Sequence, residues 1–194
     1  MIIGITGGTG CGKSTLLDVI REQGGTVLDC DAIYHRLLRD DPALLNAIEN
    51  RFPGTVENGQ LQRKQLGQIV FSDKQALRDL NEITHTAVKA EVIRLLTPEP
   101  DLAAIDAIGL FESSLDKLCK LTVAVTAPTE ARIERLMKRD GIDKEYTLAR
   151  LGAQPSCEIF SQLCDYTLSN DSTVDAFREK CLAFLTELDI IKAD

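Results

Sequence analysis

The residues with the clearest capacity for chemistry in this chain are the eight from Gly7 to Ser14. They read Gly-Gly-Thr-Gly-Cys-Gly-Lys-Ser and satisfy every fixed position of the pattern G-x-x-x-x-G-K-[ST]. Glycines let the backbone wrap closely around a phosphate and point successive N–H groups at it. Lys13 can reach the β- and γ-phosphates of a nucleotide, and the Ser14 hydroxyl can bind Mg²⁺. The sequence therefore predicts a nucleotide phosphate site, which we call the phosphate loop (Gly7–Ser14).

The segments on either side of the phosphate loop suit that function. Ile2–Thr6 is a short apolar run of the kind that forms a buried strand, and Ser14–Gln23 has helical spacing and stops at Gly24-Gly25. A helix that begins in the loop directs its positive N-terminal end at the phosphates. This context favours a phosphate loop over a glycine-rich turn that matches by chance.

A pair of carboxylates follows the second predicted strand, Thr26–Asp29, in the sequence Asp29-Cys30-Asp31. The carboxyl ends of parallel strands line the ligand crevice, so we expect the pair to face the phosphate loop. A carboxylate there can accept the proton of a substrate hydroxyl and help hold a metal ion. The alternative is a strand-end turn with solvated carboxylates.

A group of arginines lies on the helix predicted at Pro128–Asp140. With a second helix at Lys144–Ala153, hinged near Gly141, it resembles a lid that closes over transferring phosphates. The alternative is a solvated face paired with Glu130 and Glu134. The arginines are separated by three and seven positions, which places them on one helix face: Arg132, Arg135 and Arg139.

The remaining elements alternate between strand and helix. Strands are predicted at Leu102–Ile108, Leu121–Ala127 and Tyr166–Ser169, and a last helix at Thr173–Leu188. Strands separated by helices, without hairpin turn signals, predict a parallel sheet with helices on both faces.

The segment between the second and third strands, Ala32–Leu96, contains only patterns of helix and turn. One helix should start at Asp41-Pro42, with proline in the first turn. Another should start at Ser72, because Ser72 and Gln75 have capping-box spacing. This block is too long for a simple crossover and should form a subdomain.

We therefore predict a P-loop NTPase fold with three α/β/α layers around a parallel five-stranded sheet. Its single domain would comprise a core (1–31, 98–127 and 154–194), a helical subdomain (32–97) that binds an acceptor, and a small helical lid (128–153).

Composition limits the possible partners. The chain has 194 residues, 44% hydrophobic and 27% charged, with a formal net charge of −8. That charge argues against a general binder of nucleic acid or of anionic membranes. No apolar run approaches the roughly 20 residues that cross a membrane, and the apolar start resembles no signal peptide. The six cysteines contain no C-x-x-C pair, which favours reduced thiols over a metal site and predicts a cytoplasmic protein.

A nucleotide loop alone does not separate a kinase from a switch GTPase. A D-x-x-G tetrapeptide occurs at Asp106–Gly109, but N-K-x-D, which reads guanine, is absent from the sequence. The long helical block also leaves no room for a simple switch region after the second strand. The kinase interpretation is favoured, and another small-molecule kinase (for a nucleoside or nucleotide) and a GTP-binding switch protein remain the alternatives.

With these motifs, the sequence resembles the dephospho-coenzyme A kinase family over nearly its whole length. The P-loop is common to many families, whereas the joint order of D-x-D, L-F-E, R-x-x-x-R and R-x-x-x-Q is specific. The segments that carry the resemblance are Ile3–Ser14, Val27–Ala32, Leu61–Phe71, Leu80–His85, Leu110–Ser113, Arg135–Gly141, Arg150 with Gln154, and Asp165 with Asn170.

The resemblance implies ATP-dependent phosphorylation of the ribose 3′-hydroxyl of dephospho-CoA, the last step of coenzyme A synthesis, with Mg²⁺. We expect a monomer, although the sequence does not reveal the oligomeric state. It implies Asp31 as general base, Lys13 and Arg139 as stabilisers of the γ-phosphoryl charge, and Ser14 as the metal-binding residue. It further implies two sets of contacts. The ATP set is Gly8, Thr9, Gly10, Cys11, Gly12, Lys13, Ser14, Thr15, Arg135 and Asn170, with Asn170 near the adenine; the acceptor set is Asp31, His85, Leu110, Phe111 and Glu112.

The chain departs from the family pattern at two places near the acceptor. It has His85-Thr86 where the family usually has His-Pro, and Ile108-Gly109 where the family usually has Pro-Leu before Leu-Phe-Glu. Both departures concern acceptor contacts and leave the phosphate loop unchanged.

Two cysteines fall inside the predicted site, Cys11 in the phosphate loop and Cys30 between the aspartates. A thiol near a helix N-terminus and Lys13 tends toward thiolate. We therefore hypothesise inactivation by thiol reagents and protection by ATP; the alternative is two inert small residues.

Overall fold

The computed structural model describes residues 1–191, which form two compact units. The first unit comprises Met1–Leu28 and the chain from Glu99 onward, and the second comprises Asp29–Pro98. The boundary falls at the end of the second strand.

The first unit is built on a parallel five-stranded sheet flanked by helices, as the sequence predicts. Its order is β2-β5-β1-β6-β7, with β1 at the centre. The strands are β1 (Ile2–Thr6), β2 (Thr26–Asp29), β5 (Ala103–Asp106), β6 (Leu121–Thr126) and β7 (Tyr166–Ser169); the helices are α1 (Lys13–Glu22), α6 (Thr129–Asp140), α7 (Lys144–Gly152), α8 (Cys157–Leu163) and α9 (Val174–Glu187).

The central strand is mostly apolar because helices cover both faces of the sheet. Ile3 and Ile5 are almost completely buried, in one core with Leu16, Val125 and Phe177. The sequence predicts the strands of this sheet to within two residues at each end. It misses α8, whose seven residues follow the segment predicted as a lid.

The second unit is a helical cluster with a hairpin inserted. Its elements are α2 (Cys30–Asp40), α3 (Pro42–Arg51), β3 (Val56–Glu57), β4 (Gln60–Leu61), α4 (Arg63–Ser72) and α5 (Lys74–Leu95). They surround their own core, which includes Ile48, Phe52 and Leu66.

The hairpin corrects the expectation that this segment contains only helix and turn. The strands β3 and β4 pair antiparallel across Asn58 and Gly59, whose φ angles are +51° and +72°. Asn-Gly is the preferred pair for a turn that needs positive φ at both central residues. The sequence therefore contains the signal for this hairpin, in Asn58-Gly59.

The start of α5 also differs from the prediction at Ser72. Ser72 is the last residue of α4, where its hydroxyl donates to the carbonyl of Gln68 at 2.8 Å. The N-cap of α5 is Asp73, whose carboxylate accepts the N–H groups of Gln75 and Ala76. Aspartate and serine are equally preferred as N-caps, and the two residues are adjacent. The sequence alone therefore does not decide which of them caps α5.

Within residues 1–191, no helix is long and apolar enough to cross a membrane.

Candidate active site

The phosphate loop connects the central strand to the first helix. Gly7, Gly10 and Gly12 have φ angles of +140°, +82° and +92°, which side chains rarely adopt. A Cβ on Gly7 would lie 2.2 Å from the carbonyl oxygen of Val125, so the loop also needs glycine for close packing on β6. The Nζ of Lys13 donates to the carbonyl of Gly7 at 2.8 Å, which folds the lysine over the loop.

The first turn of α1 supplies the anion-binding end of the helix. The first N–H groups of a helix lack the i−4 carbonyl partners of later turns, which makes the N-terminus of α1, at Lys13 and Ser14, its anion-binding end. The Ser14 side chain is exposed in this turn, and Thr15 is half-buried. Both hydroxyls are therefore available to a nucleotide or its metal ion.

Gln154, just beyond the end of α7, forms two hydrogen bonds with Thr9 of the phosphate loop. Its Oε1 accepts from the Thr9 backbone N–H at 2.8 Å, and its Nε2 donates to the Thr9 hydroxyl at 2.7 Å. The two residues are 145 positions apart, so no local pattern connects them. The R-x-x-x-Q motif was the only sign of Gln154 in the sequence.

Arg132 packs against the same part of the loop and is 5% exposed. Its Nε donates to the Thr9 carbonyl at 3.0 Å, and its Nη2 lies beside Gly8, where a Cβ would approach it to 2.4 Å. Within residues 1–191, that Nη2 has no hydrogen-bond partner. The arginines of α6 are therefore not one uniform exposed stripe, because the first of them is a buried cation that supports the loop.

Arg135 and Asn170 hold the other side of the loop. The Arg135 guanidinium donates to the Gly10 carbonyl at 3.3 Å and to Asn170 Oδ1 at 3.1 Å. The buried Asn170 amide donates to the Cys11 carbonyl at 2.9 Å. The Asn170 side chain thus orients the loop and Arg135, and its contact with adenine stays a prediction.

Arg139, the predicted catalytic arginine, is 60% exposed and forms a two-pronged ion pair with Asp140 at 2.6 and 2.9 Å. Arg150 on α7 binds the same carboxylate at 2.8 Å. Hydrogen bonds and charge from Arg139, then from Arg150, lower the pKa of Asp140 to about 2. The ion pairs connect α6 to α7 across Gly141, which ends α6 at a φ of +66°.

The turn after β5 (Ala107–Leu115) contains three predicted acceptor residues. Leu110 is fully buried and packs against Gly4 of β1. The Leu110 side chain is therefore inaccessible to an acceptor in this conformation. Phe111 is half-buried and Glu112 is exposed. The acceptor contacts of these three residues stay predictions.

Asp29 and Asp31, at the end of β2 and the start of α2, belong to the second unit and have different structural roles. Asp29 is the N-cap of α2 and accepts the Ala32 N–H at 2.9 Å. Asp31 is exposed in the first turn of α2. His35, one turn later on the same helix face, lines an apolar pocket of about 200 Å³. Asp31 is thus the aspartate available to a ligand.

The pocket beside α2 lies in the segment to which the family resemblance assigns acceptor binding. Its walls are mostly apolar, with Phe71 86% exposed at the edge and Arg63 as the charged member. Burial raises the pKa of Tyr34 in this pocket, and the charge of Arg63 partly opposes that shift. His85 is half-buried on α5, which continues as one helix through His85-Thr86.

In this conformation burial opposes the thiolate tendency expected at Cys11, and inactivation by thiol reagents stays a prediction. Cys11 is 0% exposed, and burial raises its pKa to about 11, an effect that the charges of Arg132 and Lys13 do not overcome. Cys30 is also buried, at 7%. Desolvation outweighs the nearby positive charge at Cys11.

Replacing Gln154 with alanine should weaken ATP binding about tenfold, since two hydrogen bonds to Thr9 would be lost at about 0.5–1.5 kcal/mol each. The dissociation constant of ATP measured by calorimetry checks this. Gln162→Ala, at an exposed glutamine of α8, is the matched control and should leave it unchanged. Equal effects of both substitutions would mean that the contact with Thr9 does not support the loop.

Comparison with known proteins gives consistent matches. The dephospho-CoA kinase family model (CoaE) matches residues 1–176. The dephospho-CoA kinase of Deinococcus radiodurans is 36% identical over 97% of this chain and 92% of its own length. That of Carboxydothermus hydrogenoformans is 34% identical over 95% of this chain and 92% of its own length.

Solved structures match over almost the full chain. TT1252 from Thermus thermophilus superposes with a TM-score of 0.80 at 34% identity, covering 97% of both chains. The dephospho-CoA kinase of Campylobacter jejuni gives 0.68 at 26% identity, covering 96% of both. A shikimate kinase from Bacteroides thetaiotaomicron, at 0.55 and 17% identity, shares the fold alone.

Proposed function

Because this chain belongs to the dephospho-CoA kinase family, we propose that it transfers the γ-phosphoryl group of ATP to the ribose 3′-hydroxyl of dephospho-CoA, giving CoA and ADP. The observation that carries the proposal is the position of Asp31. It lies on the same face of α2 as His35, a wall of the apolar pocket, so one helix offers both a base and a binding surface to the acceptor.

The pocket suits the acceptor in its chemistry. Dephospho-CoA combines a long, weakly polar pantetheine arm with an anionic diphosphate. Apolar walls with one arginine, Arg63, match that combination, since pockets of this kind bind through apolar surface and orient through a few polar groups. Phe71 is largely exposed at the edge of this pocket, so a bound acceptor could cover its apolar ring.

The phosphate loop holds ATP in this proposal. The loop glycines and the first turn of α1 present N–H groups to the phosphates, and Lys13 exchanges its bond to Gly7 for the β- and γ-phosphates. The loop conformation is held by hydrogen bonds from its backbone to the side chains of Arg132, Arg135 and Gln154. A preformed loop lowers the entropy cost of aligning the phosphates.

Mg²⁺ fits the residues present. The ion keeps several waters and binds through few protein oxygens plus substrate phosphates, and the exposed Ser14 hydroxyl is such an oxygen. No cluster of three or more acidic, histidine or cysteine ligands occurs among residues 1–191, which agrees with that mode of binding. When bound, the ion neutralises charge on the β- and γ-phosphates.

In the transfer step, the 3′-oxygen of the acceptor forms a bond to the γ-phosphorus while the bond from that phosphorus to the β,γ-bridging oxygen breaks. The hydroxyl proton passes to the Asp31 carboxylate, and ADP leaves with the bridging oxygen. Lys13 and Arg139 stabilise the negative charge of the phosphoryl group during transfer.

A substrate panel tests the proposal. Consumption of ATP with Mg²⁺ should require dephospho-CoA, and mass spectrometry should find one phosphoryl group added to it. CoA, whose 3′-hydroxyl is already phosphorylated, is the matched control and should not react. Turnover with uridine or AMP but not with dephospho-CoA, or hydrolysis of GTP alone, would reject the proposal.

A further inference from the structure

Two cysteines from distant parts of the sequence meet behind the phosphate loop. The Sγ atoms of Cys11 and Cys157 lie 3.9 Å apart, across 146 positions of sequence. Cys11 belongs to the loop itself, and Cys157 is the first residue of α8. A thiol pair at this distance needs only a small movement to reach the bond length of a disulfide, about 2.05 Å.

The two thiols differ in accessibility, which gives them different chemical roles. Cys11 is 0% exposed, whereas Cys157 is partly exposed. The Nη1 of Arg132 donates to Cys157 Sγ at 3.6 Å, so a cation lies beside the more accessible of the two sulfurs. Cys157 is therefore the thiol that a small oxidant meets first, and Cys11 is the thiol placed to react with the product.

We propose that Cys11 and Cys157 are an oxidation site, at which a peroxide converts the pair to an intramolecular disulfide that weakens ATP binding. In the first step the Cys157 sulfur attacks a peroxide oxygen. An S–O bond forms, the O–O bond breaks, and the departing hydroxide takes the proton of the Cys157 thiol and leaves as water. Cys157 is then a sulfenic acid.

In the second step the Cys11 sulfur attacks Cys157 Sγ. The S–S bond forms, the S–O bond breaks, and the departing hydroxide takes the proton of the Cys11 thiol to leave as water. The two thiols together lose two electrons, and the peroxide gains them. The high pKa of Cys11, about 11, keeps it protonated until a sulfenic acid forms beside it.

The disulfide would affect the nucleotide because Cys11 lies between two glycines at positive φ, Gly10 and Gly12. Its carbonyl accepts from Asn170, and its N–H donates to the Gly8 carbonyl. A shift of Cys11 toward α8 changes the direction of neighbouring loop N–H groups. We expect about tenfold weaker ATP binding, within the usual range of coupling between sites, and recovery after reduction with dithiothreitol.

Hydrogen peroxide is the probe, and nucleotide binding is measured without an acceptor, so the result does not depend on which molecule receives the phosphoryl group. After oxidation, free thiols are alkylated, and non-reducing peptide mass spectrometry should find the Cys11 peptide joined to the Cys157 peptide. The ATP dissociation constant is measured before oxidation, after it, and after dithiothreitol.

Cys157→Ala should bind ATP normally under reducing conditions and keep its affinity in peroxide, and Cys157→Ser provides a second test of the same residue. Cys164→Ala, at a partly buried thiol after the other end of α8, is the matched control and should remain as sensitive as the unsubstituted protein. Absence of the Cys11–Cys157 linkage, or a linkage that leaves ATP affinity unchanged, would overturn the proposal. Equal protection by Cys164→Ala would overturn it as well.

Discussion

Replacing Asp31 with asparagine should reduce phosphoryl transfer to dephospho-CoA by about 10²–10⁴-fold, the usual contribution of a positioned general base. Asparagine has nearly the same shape as aspartate but cannot accept the proton of the 3′-hydroxyl. Because Asp31 is exposed in the first turn of α2, the substitution should leave folding intact. Single-turnover transfer, measured together with ATP affinity, checks both expectations.

The neighbouring aspartate is a closely matched control. Asp29 caps α2 through the Ala32 N–H, and asparagine is as good an N-cap as aspartate. Asp29→Asn should therefore keep both the helix and most of the activity. If Asp31→Asn retains full transfer, or if the two substitutions cause equal losses, Asp31 is not the base.

The phosphate loop was predictable because its function depends on backbone conformation, which glycine positions encode directly. Gly7, Gly10 and Gly12 do adopt positive φ, and Lys13 begins the helix. The central sheet was predictable for a related reason, since strands buried on both faces, such as Ile2–Thr6, are short apolar runs bounded by polar or glycine residues.

The support behind the loop was not predictable in the same way. Gln154, Arg132 and Asn170 reach the loop from segments more than a hundred residues away, and local periodicity carries no information on such contacts. Helical spacing placed Arg132 and Arg139 on one face, but it could not show that the first is 5% exposed and the second is 60% exposed. Burial depends on what packs against each turn of α6.

Cys11 illustrates how two local rules can compete. Sequence context gave it a helix N-terminus and a lysine, both of which favour thiolate, whereas the structure adds complete burial, which has the larger effect and raises its pKa to about 11. Leu110 is a similar case, because a motif position was expected to contact substrate and packs instead against Gly4. Both differences arise because the side chain is completely buried, and the local sequence does not show that burial.

Removing the Arg139 guanidinium should produce the second large effect, a fall in kcat of about 10³-fold for Arg139→Ala. Arginines that stabilise a transferring phosphoryl group contribute about 10³–10⁵-fold. The binding of ATP should change much less, because the phosphate loop and Lys13 hold the ground state. Comparing kcat with the ATP dissociation constant separates a group acting in the transition state from one that only binds.

The chain offers an unusually well-matched control for this substitution. Arg39 and Asp40 on α2 form the same two-pronged pair between adjacent residues, at 2.8 and 2.8 Å, as Arg139 and Asp140 do. Arg39→Ala removes an equivalent exposed ion pair, and such pairs contribute little to stability. It should leave kcat unchanged.

The ion pair of Arg139 also sets a condition for its proposed catalytic role. Asp140, with a pKa of about 2, is ionised at neutral pH and competes with a phosphate for the guanidinium. Arg150 also binds Asp140, so the carboxylate keeps a cation when Arg139 turns to the phosphoryl group. Arg139→Lys keeps the charge but loses the planar fork, and it should recover only part of the lost kcat. Full activity in Arg139→Ala, or equal losses in Arg139→Ala and Arg39→Ala, would exclude Arg139 from the transfer step.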